Sequence, residues 1–212
     1  MSHALVVVIV PKETKDIYAE VERLMAPYDE NIKVEPYIEL TRDKVVAKKE
    51  EITKEVSSTP LLKLDDYLRG YKGKIKKMSL EEFAKSWYGK ESDSEGNLLT
   101  TYNPKSKWDW YVIGGRWDGE VQGKPRDDSE GVFNFGDEHH QLKYNTCLVS
   151  ELAFDFVPYA IITPDGYWHE KGRLGWWGVT INPLPGDSWE AEAVLIFGAY
   201  RGCLAIGVDY HI

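Results

Sequence analysis

Cysteine is scarce: Cys147 and Cys203 are the two in 212 residues. They form neither a C-x-x-C pair nor a zinc spacing, which excludes a dense disulfide framework and a structural zinc site. Basic residues are in deficit. Twenty-six Lys and Arg face 35 Asp and Glu, a net charge of -9. That excludes a general binder of duplex nucleic acid, whose phosphates need a basic footprint, while a local basic pocket for one small anion stays compatible with it. Long apolar runs are missing too. Ala4 to Val10 spans seven residues, too few for a bilayer, and no charged n-region or A-x-A site accompanies it. The expectation is a cytoplasmic chain without a membrane partner.

Motifs of established chemistry are also absent. There is no G-x-S-x-G elbow, no phosphate loop ending in Lys-Ser/Thr, no G-x-G-x-x-G and no H-E-x-x-H. Asp137 to His140 reads D-E-H-H, whose adjacent histidines lack ligand spacing, so no metal and no cofactor is expected.

What is present begins with two patterned ends. Ala4 to Val10 is rich in β-branched residues and stops at Pro11, the pattern of a central strand. Thr14 can cap a helix carrying Ile17, Val21, Leu24 and Met25, which Pro27 closes; Ile32 to Leu40 then reads as a strand. Toward the other end, Val157 to Thr163 is extended, Pro164-Asp165-Gly166 is a turn, and Tyr167 to Glu170 returns as a hairpin. Asp187 or Ser188 caps a helix to about Tyr200, with Ala191, Val194, Leu195 and Phe197 as its apolar face, and Cys203 to Tyr210 is the last strand.

The order β-α-β…β-α-β predicts an α+β, ferredoxin-like core from 1–40 and 157–212, with 41–156 inserted as a partly helical, Trp-rich segment. Within the insert, helices are expected over Lys44–Val56, Leu61–Tyr71 and Ser79–Tyr88, the last with Ser79 and Glu82 as a capping box. A ferredoxin-like sheet leaves one face free, so a homo-oligomer is expected. Lys63, Arg69, Lys72, Lys74, Lys76 and Lys77 form a basic block that is either a solvated helix end or a phosphate-facing rim.

Two segments hold six of the eight tryptophans. In the first, Trp108 to Trp117 reads W-D-W-Y-V-I-G-G-R-W. Gly114 and Gly115 permit close backbone approach, Arg116 offers a planar fork for phosphate or carboxylate, and the faces of Trp108, Trp110 and Trp117 can stack on a ring. The alternative is an aromatic minicore with Arg116 paired to a carboxylate. In the second, Tyr167 to Gly178 reads Y-W-H-E-K-G-R-L-G-W-W-G. His169 is a candidate ligand contact or general base, Arg173 a second anion contact, and Trp176 or Trp177 a ring cover. His169 and Glu170 are adjacent, so a strand would point them to opposite faces.

These two segments resemble an uncharacterised protein family of bacteria and tailed phages that shares W-D-W-Y-x-I-G-G-R-W and G-Y-W-H-E-x-G-R-x-G-W-W-G. The resemblance covers about a sixth of the chain, brings no activity or catalytic residues, and implies a phage setting and hence a host cytoplasm. By analogy with small phage proteins that capture nucleotide immune signals, the expected function is to bind and sequester a small nucleotide-like anionic ligand. The alternatives are a hydrolase or phosphodiesterase with His169 as base, and a protein-interaction module using exposed Trp.

Overall fold

A computed structural model of the chain describes residues 2–124, 138–175 and 179–212, with the backbone alone at 138–140. In chain order the strands are β1 (His3–Val10), β2 (Lys33–Leu40), β3 (Leu98–Tyr102), β4 (Trp110–Ile113) and β5 (Thr146–Leu148). They continue with β6 (Ala160–Ile162), β7 (Trp168–Glu170), β8 (Arg173–Leu174), β9 (Thr180–Ile181) and β10 (Leu204–His211). The helices are α1 (Ile17–Met25), α2 (Arg42–Ser58), α3 (Asp66–Arg69), α4 (Leu80–Tyr88), α5 (Glu138–Asn145) and α6 (Ser188–Ala199). No helix among the described residues is long and apolar enough to cross a membrane.

The chain is a mixed α+β protein that divides into two compact units, Met1–Ile32 with Asn103–Ile212, and Lys33–Tyr102. The excursion from the larger unit is therefore 33–102 rather than 41–156, and the first Trp-rich segment belongs to the larger unit.

In the larger unit a mixed six-stranded sheet runs β4-β10-β1-β6-β7, with β5 also on β10. β1 and β10 pair antiparallel along their whole length, from His3↔His211 to Val10↔Leu204. β1 is parallel to β6. The Pro-Asp-Gly turn forms as expected: Gly166 N–H donates to the Thr163 carbonyl at 2.8 Å, and β7 returns along β6.

Two features depart from a ferredoxin-like order. The place beside β6 expected for Ile32–Leu40 is taken by β7, and β2 instead pairs with β3 in a separate two-stranded sheet. The physical reason lies in β2 itself. Pro36 removes a ladder donor and Glu35 and Glu39 are exposed, so the strand suits an edge and not a doubly covered sheet. The local hairpin also closes a far shorter loop.

Second, the helices lie on opposite faces. Val6, Val8 and Val10 pack with Val21, Leu24 and Met25 of α1, while Val7 and Ile9 pack with Trp189, Ala193 and Ile196 of α6. Both faces of β1 are covered, which explains its unbroken apolar run and removes the free sheet face on which the homo-oligomer rested. The inward face of α6 also differs from the expected one: Val194 and Leu195 are exposed, at 55% and 74%. The helix is apolar almost all round, so spacing alone cannot select the buried stripe.

The smaller unit, Lys33–Tyr102, has its own core, in which Val45, Ile52 and Val56 of α2 meet Phe83 and Ala84 of α4 and Leu98 of β3. The helix expected over Leu61–Tyr71 contracts to α3, because Asp65 starts a new cap by accepting from Leu68 N–H at 2.8 Å and Gly70 follows the last turn. At α4 the capping box forms. Ser79 Oγ accepts from Glu82 N–H at 3.0 Å, and Glu82 Oε2 accepts from Ser79 N–H at 2.7 Å. Ser79→Ala should destabilise this unit by about 1 kcal/mol, read as a lower urea midpoint with an unchanged slope. An unchanged midpoint would show that the cap contributes nothing.

Candidate functional site

The last strand carries an anomaly: Asp209 interrupts an apolar run and is fully buried at 0% exposure. A buried carboxylate must be bonded on both oxygens to be tolerated. Oδ1 lies 3.0 Å from His3 Nδ1, and Oδ2 accepts from Arg116 N–H at 3.0 Å. The in-register pairing of β1 with β10 explains the first contact, since His3, Leu5, His211 and Asp209 share one face at the end of the sheet.

A second imidazole–carboxylate pair stands beside it. His211 Nδ1 lies 2.6 Å from Asp109 Oδ1. The two imidazoles meet edge to face with centroids 4.9 Å apart, and Trp110 stacks on His211 and abuts His3. His211 Nε2 is buried without a hydrogen-bond partner.

The first Trp-rich segment is largely the housing of this cluster. Trp108 is core, its Nε1–H donating to the Met25 carbonyl at 3.1 Å. Asp109 and Trp110 hold His211. Gly114 and Gly115 have φ of +81° and +58° and press against Asn145 and Asp209. That bend presents the Arg116 amide to Asp209, while the Arg116 side chain is exposed. Asp118 accepts from Asn145 Nδ2 at 2.6 Å, which fixes the far end of the turn.

A cavity of about 480 Å³ opens beside the cluster, lined by the start of β1 and by residues of the segment that enters β6. Its walls include His3, Trp117, Phe156 and Tyr159, together with the carboxylates Glu120 and Asp155. Neither Arg116 nor Arg173 lines it. Because a carboxylate only accepts, the bond to Asp209 places the proton of a neutral His3 on Nδ1 and leaves Nε2 with a lone pair. The polar side-chain groups of the cavity wall that meet no partner inside the protein are thus three acceptors, two carboxylates and an imidazole nitrogen, and one donor, the buried indole N–H of Trp117. Tyr159 adds no free donor, since its hydroxyl donates to the Gly172 carbonyl at 2.8 Å, and burial raises its ionisation above the usual range.

The other expected residues lie elsewhere. His169 is on β7, with Nδ1 2.8 Å from Glu192 Oε1. Glu170 faces the other side of the sheet, bonded to Lys107 and to Trp168 Nε1 at 2.7 and 2.9 Å. β7 and β4 are the two ends of the strand order, roughly 19 Å apart at about 4.8 Å per strand. His169 and Arg116 are therefore not brought together. Arg173 is exposed on β8, which pairs with β9 in a separate ribbon. Trp176 and Trp177 lie outside the described residues, as do Asp137 and the side chains of His139 and His140. Among the described residues no group of three or more His, Cys, Asp or Glu is placed to hold a metal.

Neither thiol is an activated nucleophile. Burial pushes Cys147 up to about 11, with Glu151 adding to the shift, and burial raises Cys203 as well. No Ser, Thr or Cys is among the described residues of the cavity wall. His3, Asp209 and His211 went unread in the sequence because they sit at strand ends; the usable signal was a single carboxylate inside the apolar run Leu204 to Tyr210. No family model, curated protein or solved structure matches the chain.

Proposed function

We propose that the chain is a small-molecule-binding protein that captures an organic cation in the cavity beside His3. One observation carries this reading: the cavity's unengaged polar set is dominated by acceptors, Glu120, Asp155 and His3 Nε2 against the single Trp117 N–H, and both of its ionised groups are carboxylates, within aromatic walls. Such a site welcomes a ligand that brings donors and positive charge, such as an ammonium, amidinium or guanidinium group. The rings of Trp117, Phe156 and Tyr159 favour a cation over their faces, and the volume falls within the ~300–1,000 Å³ typical of ligand pockets. Capture is favoured over turnover because the described wall offers no Ser, Thr or Cys nucleophile. The anionic nucleotide expected from Arg116 and Arg173 would meet carboxylates here, so that expectation is redirected to a cationic ligand at this site.

Calorimetric titration with benzamidinium and phenethylammonium tests the reading, with AMP as the anionic comparison. The cations should saturate one site, and AMP should not compete. Asp155→Asn should weaken cation binding by about tenfold, the loss of one charge-assisted contact. Trp117→Ala should weaken it by a similar factor through the lost cation–π face. Absence of cation binding, or cation binding indifferent to both substitutions, would sink the assignment.

A further inference from the structure

The basic block noted in the sequence belongs to the smaller unit, and the charge of the chain is divided unevenly. Lys33–Tyr102 carries 14 Lys and Arg against 13 Asp and Glu, while the larger unit carries 12 against 22. Within the smaller unit a groove of about 940 Å³ runs along α2. Arg42, Lys49 and Lys54 line it from that helix, and Lys76 from the turn before α4. One carboxylate, Glu50, shares the wall.

The helical register explains the alignment. Arg42, Val46, Lys49, Thr53 and Ser57 recur at intervals of four, three, four and four, one stripe of a helix, while Val45, Ile52 and Val56 turn into the core. Four other cations of the unit are ion-paired: Lys48 with Glu51, Arg69 with Asp66, Lys85 with Glu91 and Lys90 with Glu39. Among the described residues Arg42, Lys54 and Lys76 make no such ion pair. Lys49 is steered into place by donating from Nζ to the Met78 carbonyl at 2.5 Å.

We propose that this groove is a second binding site, for a small ligand bearing contiguous phosphates. Cations at positions 42, 49 and 54 of one helix stand about 10 and 8 Å apart along its axis at 1.5 Å per residue. A single carboxylate or phosphate cannot meet all of them, whereas a run of two or three phosphates offers several charges on which these long side chains can converge. The Arg42 guanidinium supplies a planar fork for phosphate oxygens, and the lysines supply point charges. Val46 and Leu80, with the lysine stems, give an apolar wall for the remainder of the ligand. No aromatic ring is among the described lining residues, so the stacking platform that single-stranded nucleic acid uses is missing and a small ligand is favoured. This site is independent of the cation cavity in the larger unit, and the two assignments stand or fall separately.

The test uses the full chain with tripolyphosphate, ATP and AMP as probes, measured by calorimetry at two salt concentrations. Tripolyphosphate and ATP should bind at one site, AMP much more weakly, and the affinity should fall as salt rises. ATP binding more tightly than tripolyphosphate would place a nucleoside on the apolar wall; equal affinities would assign the site to the phosphates alone. Lys54 and Lys76 are exposed, so the double variant Lys54→Glu/Lys76→Glu should fold normally and lose about tenfold or more in affinity. Lys63→Glu/Lys74→Glu makes the same charge change outside the lining and should cost under about threefold, the effect of general screening. No binding of either polyphosphate at low salt overturns the proposal, as do equal losses in the two double variants.

Discussion

Asp209→Ala should cost the larger unit about 2–6 kcal/mol, the consequence of leaving two buried donors without their shared acceptor. The Asp209 carboxylate is fully buried and bonds the His3 imidazole and the Arg116 amide, both at 3.0 Å. Alanine leaves two donors facing an apolar gap, each penalised by about 1–3 kcal/mol. A loss of that size should lower the melting temperature by roughly 10 °C for a unit of this length. Asp209→Asn should behave differently. The Arg116 N–H requires an acceptor, so the amide oxygen must turn toward it. The amide NH2 group then faces His3 Nδ1, which must become the acceptor, and the ring proton moves to Nε2. The fold survives with a loss of about 1–2 kcal/mol, while the nitrogen presented to the cavity changes from acceptor to donor. Cation binding should fall by about tenfold or more, and nitrogen NMR of the imidazole should report the Nδ1–H tautomer in the parent chain and Nε2–H in the variant. Retention of the parent tautomer and of cation affinity in Asp209→Asn would remove His3 from the site.

The strands and turns of the larger unit were legible because their signals are local. Ala4 to Val10 announces a buried strand by composition, and Pro164-Asp165-Gly166 announces a hairpin by turn chemistry. Partner choice was not legible, because pairing depends on which strand can afford two covered faces. Pro36, Glu35 and Glu39 are visible in the sequence, yet their meaning depends on β3, the distant strand with which β2 pairs. The site divided in the same way. Its housing, Trp108 to Trp117, stood out by composition, and the glycine pair was assigned a close approach that it does make. The groups it houses, His3, Asp209 and His211, come from the two chain ends, and only the antiparallel register places them together. Arg116 was read for its side chain, whereas its backbone amide is the group that meets Asp209.

The glycine pair supplies the other large expected effect. Gly114 has φ +81° and ψ −84°, a conformation closed to ordinary L-residues, and a methyl group there would stand 2.4 Å from Asn145 Nδ2. Asn145 cannot retreat. It is fully buried, it accepts from Gly119 N–H at 2.9 Å, and its amide donates to Asp118 and to the Gln141 carbonyl at 2.6 and 2.9 Å. Gly115, at φ +58°, would place a methyl 2.5 Å from Asp209 Oδ2, the oxygen that holds the Arg116 amide. Backbone strain of about 1–3 kcal/mol adds in each case to an overpacking cost of about 1–3 kcal/mol. Gly114→Ala and Gly115→Ala should therefore each destabilise the larger unit by about 3–5 kcal/mol. Gly123 provides the control, because its φ of +65° is equally left-handed but nothing lies within 4 Å of the added carbon. Gly123→Ala should cost only about 1–2 kcal/mol, the backbone part alone. Urea unfolding of the three variants separates close packing from backbone strain. If Gly114→Ala and Gly115→Ala lose no more than Gly123→Ala, the bend around Asp209 does not constrain the fold, and the cavity wall owes its shape to something other than this turn.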